Sequence, residues 1–234
     1  MVNNYNVNRP LEFYRFFKDI GCRYIQFSPI VERTTCRNDA LTLAPGMTAD
    51  GALTDTSITA EQWGTFLCTV FDEWVRNDVG EYFVQLFEST LANWVGAQPG
   101  MCTLARECGH AGVMEYNGDV YSCDHFVYPE HRLGNIMTST IVEMMYSPRQ
   151  QEFARMKRAM LPRQCRECKY LFACNGECPK NRFINDRYGD FGLNYLCEGY
   201  HKFFAHAAPY MEYMKRTLAA GGDPASIMTQ INNI

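Results

Sequence analysis

The sequence predicts an α/β fold whose second half is rich in cysteines and turns, and three observations carry that expectation. A short amphipathic helix is followed at once by an apolar run, Arg23-Tyr24-Ile25-Gln26-Phe27-Ser28-Pro29, which is the order of an α/β sheet. A second helix then carries a long aromatic stripe. From Cys102 onward the chain changes to cysteines, hairpin signals and short elements.

Taken in order, Asn8 is the expected cap of the first helix, with Pro10 in its first turn. Leu11, Tyr14, Phe17 and Ile20 mark one face, and Gly21 stops it. Residues 23–29 read as a buried strand ended by proline. Residues 32–58 read as an irregular loop with turn pairs at Pro45-Gly46 and Asp50-Gly51. A loop of that length is expected to be functional or to wrap over something. Thr59 and Gln62 form a capping box, and Trp63, Phe66, Leu67, Val70, Phe71, Trp74 and Val75 follow at helical spacing as core. A strand over 82–87 and a brief helix through Trp94 end at Gly96, and Pro99-Gly100 marks an expected boundary. The expected division is 1–100, 101–200 and 201–234.

Beyond it, Val113-Met114-Glu115-Tyr116 and Val120-Tyr121-Ser122-Cys123 flank Asn117-Gly118, a strong hairpin signal. The return strand carries Cys123, Asp124 and His125 to one end, and Tyr121 is expected to pack. Residues 138–160 read as helix, interrupted near Ser147-Pro148 and closed by Pro162. After Cys197 an aromatic-rich helix, with Phe203, Phe204, Met211 and Met214 as core, runs to Gly221-Gly222.

Composition bounds the function. At 234 residues, with 47% apolar and 21% charged residues, the chain can bury a sizeable core. A formal charge of −4 argues against a nucleic-acid groove. No apolar run reaches the roughly 18–20 residues of a membrane span, and no basic segment precedes an apolar stretch at the start. The expected compartment is a reducing cytoplasm.

Eleven cysteines are present, and four of them, Cys165, Cys168, Cys174 and Cys178, fall within fourteen residues with Pro179 behind. Three readings stand: disulfides, which a reducing compartment disfavours; structural zinc on four thiolates; and iron–sulfur clusters. The Cys-x3-Cys-Pro ending favours the last, because in two-cluster ferredoxins the cysteine before such a proline ligates the other cluster. On that logic Cys178 crosses to join Cys102, Cys108 and Cys123. Cys197 takes its place beside Cys165, Cys168 and Cys174, and the count closes at four and four.

The pattern Cys102-x5-Cys108, Gly118-x4-Cys123, CxxC-x5-Cys-x3-Cys and a distant Cys197 resembles the SPASM domain of radical S-adenosylmethionine enzymes. The likeness is closest to the anaerobic sulfatase-maturating enzymes. Asn3-Asn4-Tyr5-Asn6, Tyr24-Ile25-Gln26-Phe27 through Pro29, and Val31-Glu32-Arg33 are also similar to late barrel segments of that family. The resemblance covers nearly the whole chain. It implies the late part of a radical SAM (β/α) barrel, then a SPASM domain of hairpin and helices, then a C-terminal helix. It also implies two auxiliary 4Fe–4S clusters with the ligand sharing above. The activity implied is oxidation of a cysteine or serine of a sulfatase polypeptide to Cα-formylglycine, with a reductant protein such as flavodoxin or ferredoxin as partner. Asp124, after the hairpin cysteine, matches the family's proposed general base. Read as a residue alone, it could equally cap a turn; His125 reads as a surface or supporting residue.

The family's first cluster hangs on CxxxCxxC, and its open iron position binds S-adenosylmethionine. The sequence contains no CxxxCxxC, and Cys22, Cys36 and Cys68 lie too far apart to replace it; they read as buried or incidental thiols. The expectation is therefore a C-terminal part of a maturase, from a truncated chain, a split gene or a decayed one. S-adenosylmethionine and a third 4Fe–4S cluster would belong only to a complete enzyme with an N-terminal half. The alternatives are a SPASM maturase of another peptide and a non-catalytic zinc-binding module.

Overall fold

The computed structural model describes residues 1–37 and 40–231. The chain enters through a tight turn, in which Asn3 N donates to Asn6 Oδ1 at 2.9 Å and Val7 N to the Asn3 carbonyl. Helix α1 (Pro10–Asp19) follows; its N-cap is Arg9, with no capping side chain. This corrects the expected cap at Asn8. A proline at the first helical position has no N–H to satisfy and presets φ, so a capping side chain adds little there. Tyr14 is fully buried, whereas Ile20, the C-cap just beyond the helix, is exposed, and Gly21 at φ +73° turns the chain after it.

Strand β1 is only Tyr24–Ile25, near the start of the predicted run, and the expected burial holds for Ile25 but not for Tyr24, which is exposed. Residues 32–58 are not irregular: they hold β2 (Arg33–Arg37), β3 (Ala40–Leu43) and β4 (Ala52–Leu53) in an antiparallel sheet of order β3-β2-β4. Residues 38 and 39 of that stretch lie outside the described residues. The cause is tertiary. The buried Arg33 guanidinium donates to the carbonyls of Pro45 (2.7 Å), Thr48 (2.8 Å) and Asp50, and lies 3.9 Å from the Phe183 ring centre. One side chain from a distant contact thus gathers the whole connection.

Helix α2 (Ala60–Asn77) has the predicted capping box, and every residue of its predicted stripe is buried. Strand β5 (Phe83–Val84) is short because α3 (Gln85–Trp94) begins inside the predicted strand. Strands β1 and β5 pair in parallel, and β1 has no second neighbour among the described residues.

In the second half, β6 (Val113–Met114) and β7 (Asp119–Tyr121) form the predicted hairpin, with Gly118 at φ +84° in its turn. A third strand, β8 (Arg132–Asn135), extends it. Its charged and amide side chains hid it from an apolar pattern: Arg132 and Asn135 both donate to the Asp119 carboxylate, at 2.5 and 2.9 Å. Helices α4 (Ile141–Met145) and α5 (Pro148–Ala159) break at Ser147-Pro148 as expected. Then come α6 (Arg163–Arg166), α7 (Leu171–Cys174), the antiparallel pair β9 (Arg182–Asn185) and β10 (Phe191–Asn194), and the helices α8 (Cys197–Ala219) and α9 (Ile227–Gln230).

The core is built on α2 and α8. Gly64 and Gly199 let their backbones touch, and a Cβ on Gly199 would overlap the Ala60 carbonyl oxygen. Around that contact Phe71, Trp74, Phe87 and Phe203 interlock with ring centres 5.2–5.8 Å apart. Each such side chain contributes about 1.5–3 kcal/mol by leaving water. Tyr170, Ala173 and Leu196 join the same core. Asn93 Nδ2 ties α3 to the carbonyls of Leu104 (3.1 Å) and Ala173 (2.8 Å). The segments that carry Cys174 and Cys197 are thereby anchored to rigid helices. Among the described residues no helix is long and apolar enough to cross a membrane.

Candidate metal centre

The eight predicted cysteines fall into two groups. Cys165 in α6, Cys168 just after it, Cys174 at the end of α7 and Cys197 at the start of α8 line one cavity of about 510 Å³. Asp186 holds the floor of this arrangement. Its Oδ2 accepts from Gln164 N (2.9 Å), and its Oδ1 accepts from Tyr188 N (2.8 Å) and Asp190 N (2.9 Å), pinning the β9–β10 turn to α6. Burial, joined by the neighbouring thiols, pushes Cys165 up to about 11 and Cys197 up to about 12, and raises Cys174 as well.

The second group lies at the hairpin end. Cys102 lies close enough to Cys108, Cys108 to Cys123, and both Cys123 and Cys108 to Cys178, for the first named to disfavour the thiolate of the second. Burial is again the larger cause, taking Cys123 up to about 12 and Cys178 well above the ordinary thiol range. In sequence Cys178 of this group falls between Cys174 and Cys197 of the other, and it turns away from Cys174.

That turn is the structural hinge of the centre. Asn175, Gly176 and Glu177 stand at φ +50°, +72° and +53°, three left-handed residues in succession. They reverse the chain within one step, so Cys174 faces the cavity and Cys178 faces the hairpin. The fully buried Arg182 side chain clamps them: Nε donates to Gly176 O (2.8 Å), and Nη2 to Asn175 O (3.0 Å) and Glu177 O (3.1 Å). The Asn-Gly pair between Cys174 and Cys178 was a readable turn signal that went unused. Arg182 offered no signal at all, since a basic residue is expected on the surface.

Crowded thiols, two of the eight buried, five half-buried and Cys102 exposed, fit a cation, which takes the place of their protons. Two sets of four thiols on rigid elements, one of them around a cavity, suit a four-thiolate cluster at each. The ligand atoms of Cys123, Asp124 and His125 also lie within 4.8 Å of one another, a set that could hold a single metal ion.

Asp124 is exposed and accepts from Cys123 Sγ at 3.2 Å. Burial raises its pKa, but the Cys123 thiol, the His125 charge and backbone N–H groups outweigh this and leave it below the usual carboxylate value. His125 Nδ1 sits 3.7 Å from Cys178 Sγ, and burial lowers its pKa. Both residues face a cleft of about 300 Å³, whose far wall is Arg33, Gly46 and Phe183, with Lys180 at its edge. The unforeseen β2–β4 sheet therefore lies opposite Asp124. Cys36 is exposed, and Cys22 and Cys68 are half-buried, apart from both groups.

A family model described as an iron–sulfur cluster-binding domain, SPASM, matches residues 102–169. A serine-type anaerobic sulfatase-maturating enzyme of Bacteroides thetaiotaomicron is 59% identical over 236 residues, covering all of this chain and 56% of the relative. The chain is homologous to the anaerobic sulfatase-maturating enzymes. A cysteine-type sulfatase-maturating enzyme of Clostridium perfringens is 26% identical over 204 residues, with 85% of this chain and 50% of the relative covered. The solved structure "Native anSMEcpe with bound AdoMet" superposes with a TM-score of 0.74 at 24% identity, covering 92% of this chain and 55% of that one. Its counterpart with bound AdoMet and Cp18Cys peptide gives 0.74 at 23% identity, over 93% and 56%. The chain spans about half the length of the sulfatase-maturating relatives it matches. The fold is thus that of the C-terminal region of a sulfatase-maturating radical SAM enzyme.

Proposed function

We propose that this chain is the auxiliary-cluster part of an oxidoreductase that matures sulfatases. The observation that carries the reading is the partition of eight cysteines into two sets of four by the left-handed turn between Cys174 and Cys178. On this reading Cys102, Cys108, Cys123 and Cys178 hold one 4Fe–4S cluster, and Cys165, Cys168, Cys174 and Cys197 the other. Such clusters, when bound, supply one-electron acceptance. Residues 1–100 belong to a barrel, 101–200 to the cluster domain and 201–234 to a helical tail.

The chain's own residues shape the substrate end. Asp124 opens into the cleft with its carboxylate ionised at neutral pH, so it can accept the proton of a substrate hydroxyl or thiol as hydrogen and an electron leave the adjacent carbon. Its neighbour Cys123 fixes that base relative to the first cysteine set. The substrate is a serine or cysteine of a sulfatase polypeptide, as the similarity to both enzyme types supports. The sequence given holds no CxxxCxxC, so the S-adenosylmethionine cluster is held elsewhere and this chain alone does not cleave S-adenosylmethionine. A flavodoxin- or ferredoxin-type reductant in the cytoplasm completes the electron path.

The test is iron, acid-labile sulfide and zinc per chain after anaerobic reconstitution, with EPR after dithionite. About eight irons and matching sulfide are expected from two four-iron sites. Zinc alone in stoichiometric amount would instead select the structural zinc module, for which the Cys123-Asp124-His125 cluster is the starting point. When the chain is joined to the N-terminal part of the Bacteroides relative, Asp124→Asn should abolish formylglycine formation while iron content stays full. Retained turnover would remove Asp124 as the base.

A further inference from the structure

Lys157 and Arg182 are both fully buried, and they lie between the two cysteine sets. Lys157 Nζ donates to the carbonyls of Cys102 and Thr103, each at 2.7 Å, and the charged groups that act on it are Cys108, Glu177, Arg182 and Cys178. Arg182 Nη1 donates to the Lys157 carbonyl at 2.5 Å, so the two are joined through the backbone. The groups that act on Arg182 are Cys165, Cys174, Cys178 and Glu177. Lys157 therefore faces the hairpin set, and Arg182 faces both.

Every hydrogen bond that these two cations donate goes to a neutral carbonyl. One buried carboxylate, Glu177, lies near them, and it accepts from Asn194 Nδ2 at 2.6 Å. Two buried cations against one carboxylate leave an uncompensated positive charge, which costs several kcal/mol in an apolar interior. A chain does not retain that arrangement for packing, because apolar residues would fill the same space at lower cost. The eight thiols, once deprotonated by metal, supply the negative charge that balances it.

Resting on the cluster reading above, we propose that Lys157 and Arg182 are a shared cationic bridge that compensates both thiolate sets and raises the reduction potential of each. A fixed positive charge favours the state that carries the extra electron, and cluster potentials follow net local charge and hydrogen bonding. Lys157 acts on the hairpin site; Arg182 acts on both and couples them. They are positioning residues and touch no substrate.

The test is an EPR-monitored redox titration of the anaerobically reconstituted chain, with each signal assigned from the Cys178→Ser and Cys197→Ser variants. Lys157→Met should lower the reduction equilibrium of the hairpin site at least tenfold, about 59 mV for one electron, and leave the other within twofold. Arg182→Gln should lower both. Lys157→Arg, which keeps the charge, should restore the original value of the hairpin site. Full iron with unmoved potentials in the charge-free variants overturns the inference and leaves the cluster reading standing. Loss of iron in Lys157→Met but not in Lys157→Arg supports the bridge; equal loss in Lys157→Arg shows a packing role and overturns it. A parent chain that takes up no iron removes the cluster reading and the inference together.

Discussion

Replacing Gly176 by alanine is the sharpest probe of the turn that divides the cysteines. Gly176 stands at φ +72°, where an L side chain costs about 1–2 kcal/mol. A Cβ there would also overlap Leu161 Cδ2 and Arg182 Nη2, and would lie 3.0 Å from Arg182 Cζ. Such overpacking adds about 1–3 kcal/mol. The sum, about 2–5 kcal/mol, corresponds to a fall in Tm of roughly 4–20 °C for a chain of this length. The guanidinium can escape only by releasing the carbonyls of residues 175–177, which frees Cys174 and Cys178 from their separate orientations. Gly176→Ala should therefore lose iron from both sites, not one. The assay is iron per chain beside thermal unfolding, with Gly189→Ala as control. That glycine also has a positive φ, +89°, but a Cβ there meets nothing within 4 Å. If Gly176→Ala binds its full iron and melts with the parent, the turn does not divide the cysteines as argued.

Two further outcomes are expected. Cys178→Ser should leave about four irons per chain with the signal of the Cys165 set, and Cys197→Ser about four with the signal of the Cys102 set, as one ligand lost per four-thiolate site requires; loss of the same signal in both would refute the partition. Asp119 is held down to about 2, chiefly by the hydrogen bond from Arg132 and then by that from Asn135. A depressed carboxylate stabilises the folded hairpin above its unfolded value near 4 and loses that contribution as pH falls through about 2. A carboxyl NMR titration of Asp119 should therefore show its midpoint near 2, moved up by Arg132→Ala; a midpoint near 4 in the parent would dispose of the pair.

How much of this was legible in the sequence depends on the range of the interaction. The α2 stripe and the Thr59–Gln62 box could be read because both are repeats or pairs within one helix. The Asn117-Gly118 hairpin and the Ser147-Pro148 break could be read because local backbone geometry demands those residues. Asn8 was misplaced as a cap because Pro10 makes the cap dispensable. The β2–β4 sheet was missed because its organiser, Arg33, acts through contacts up to 17 residues away and a ring at Phe183.

The cysteine spacing, read with the rule that a cysteine before such a proline ligates the other cluster, led to the expectation of two sets of four, although reach along the chain alone would group Cys165, Cys168, Cys174 and Cys178. Only the tertiary structure decided how the sets are kept apart and what balances them. The left-handed run 175–177, the Arg182 clamp and the buried Lys157 belong to elements distant in sequence, brought together by the α2–α8 core. A basic residue reads as surface in any pattern of hydropathy. Its burial is a property of what packs around it, and that is set by the whole chain at once.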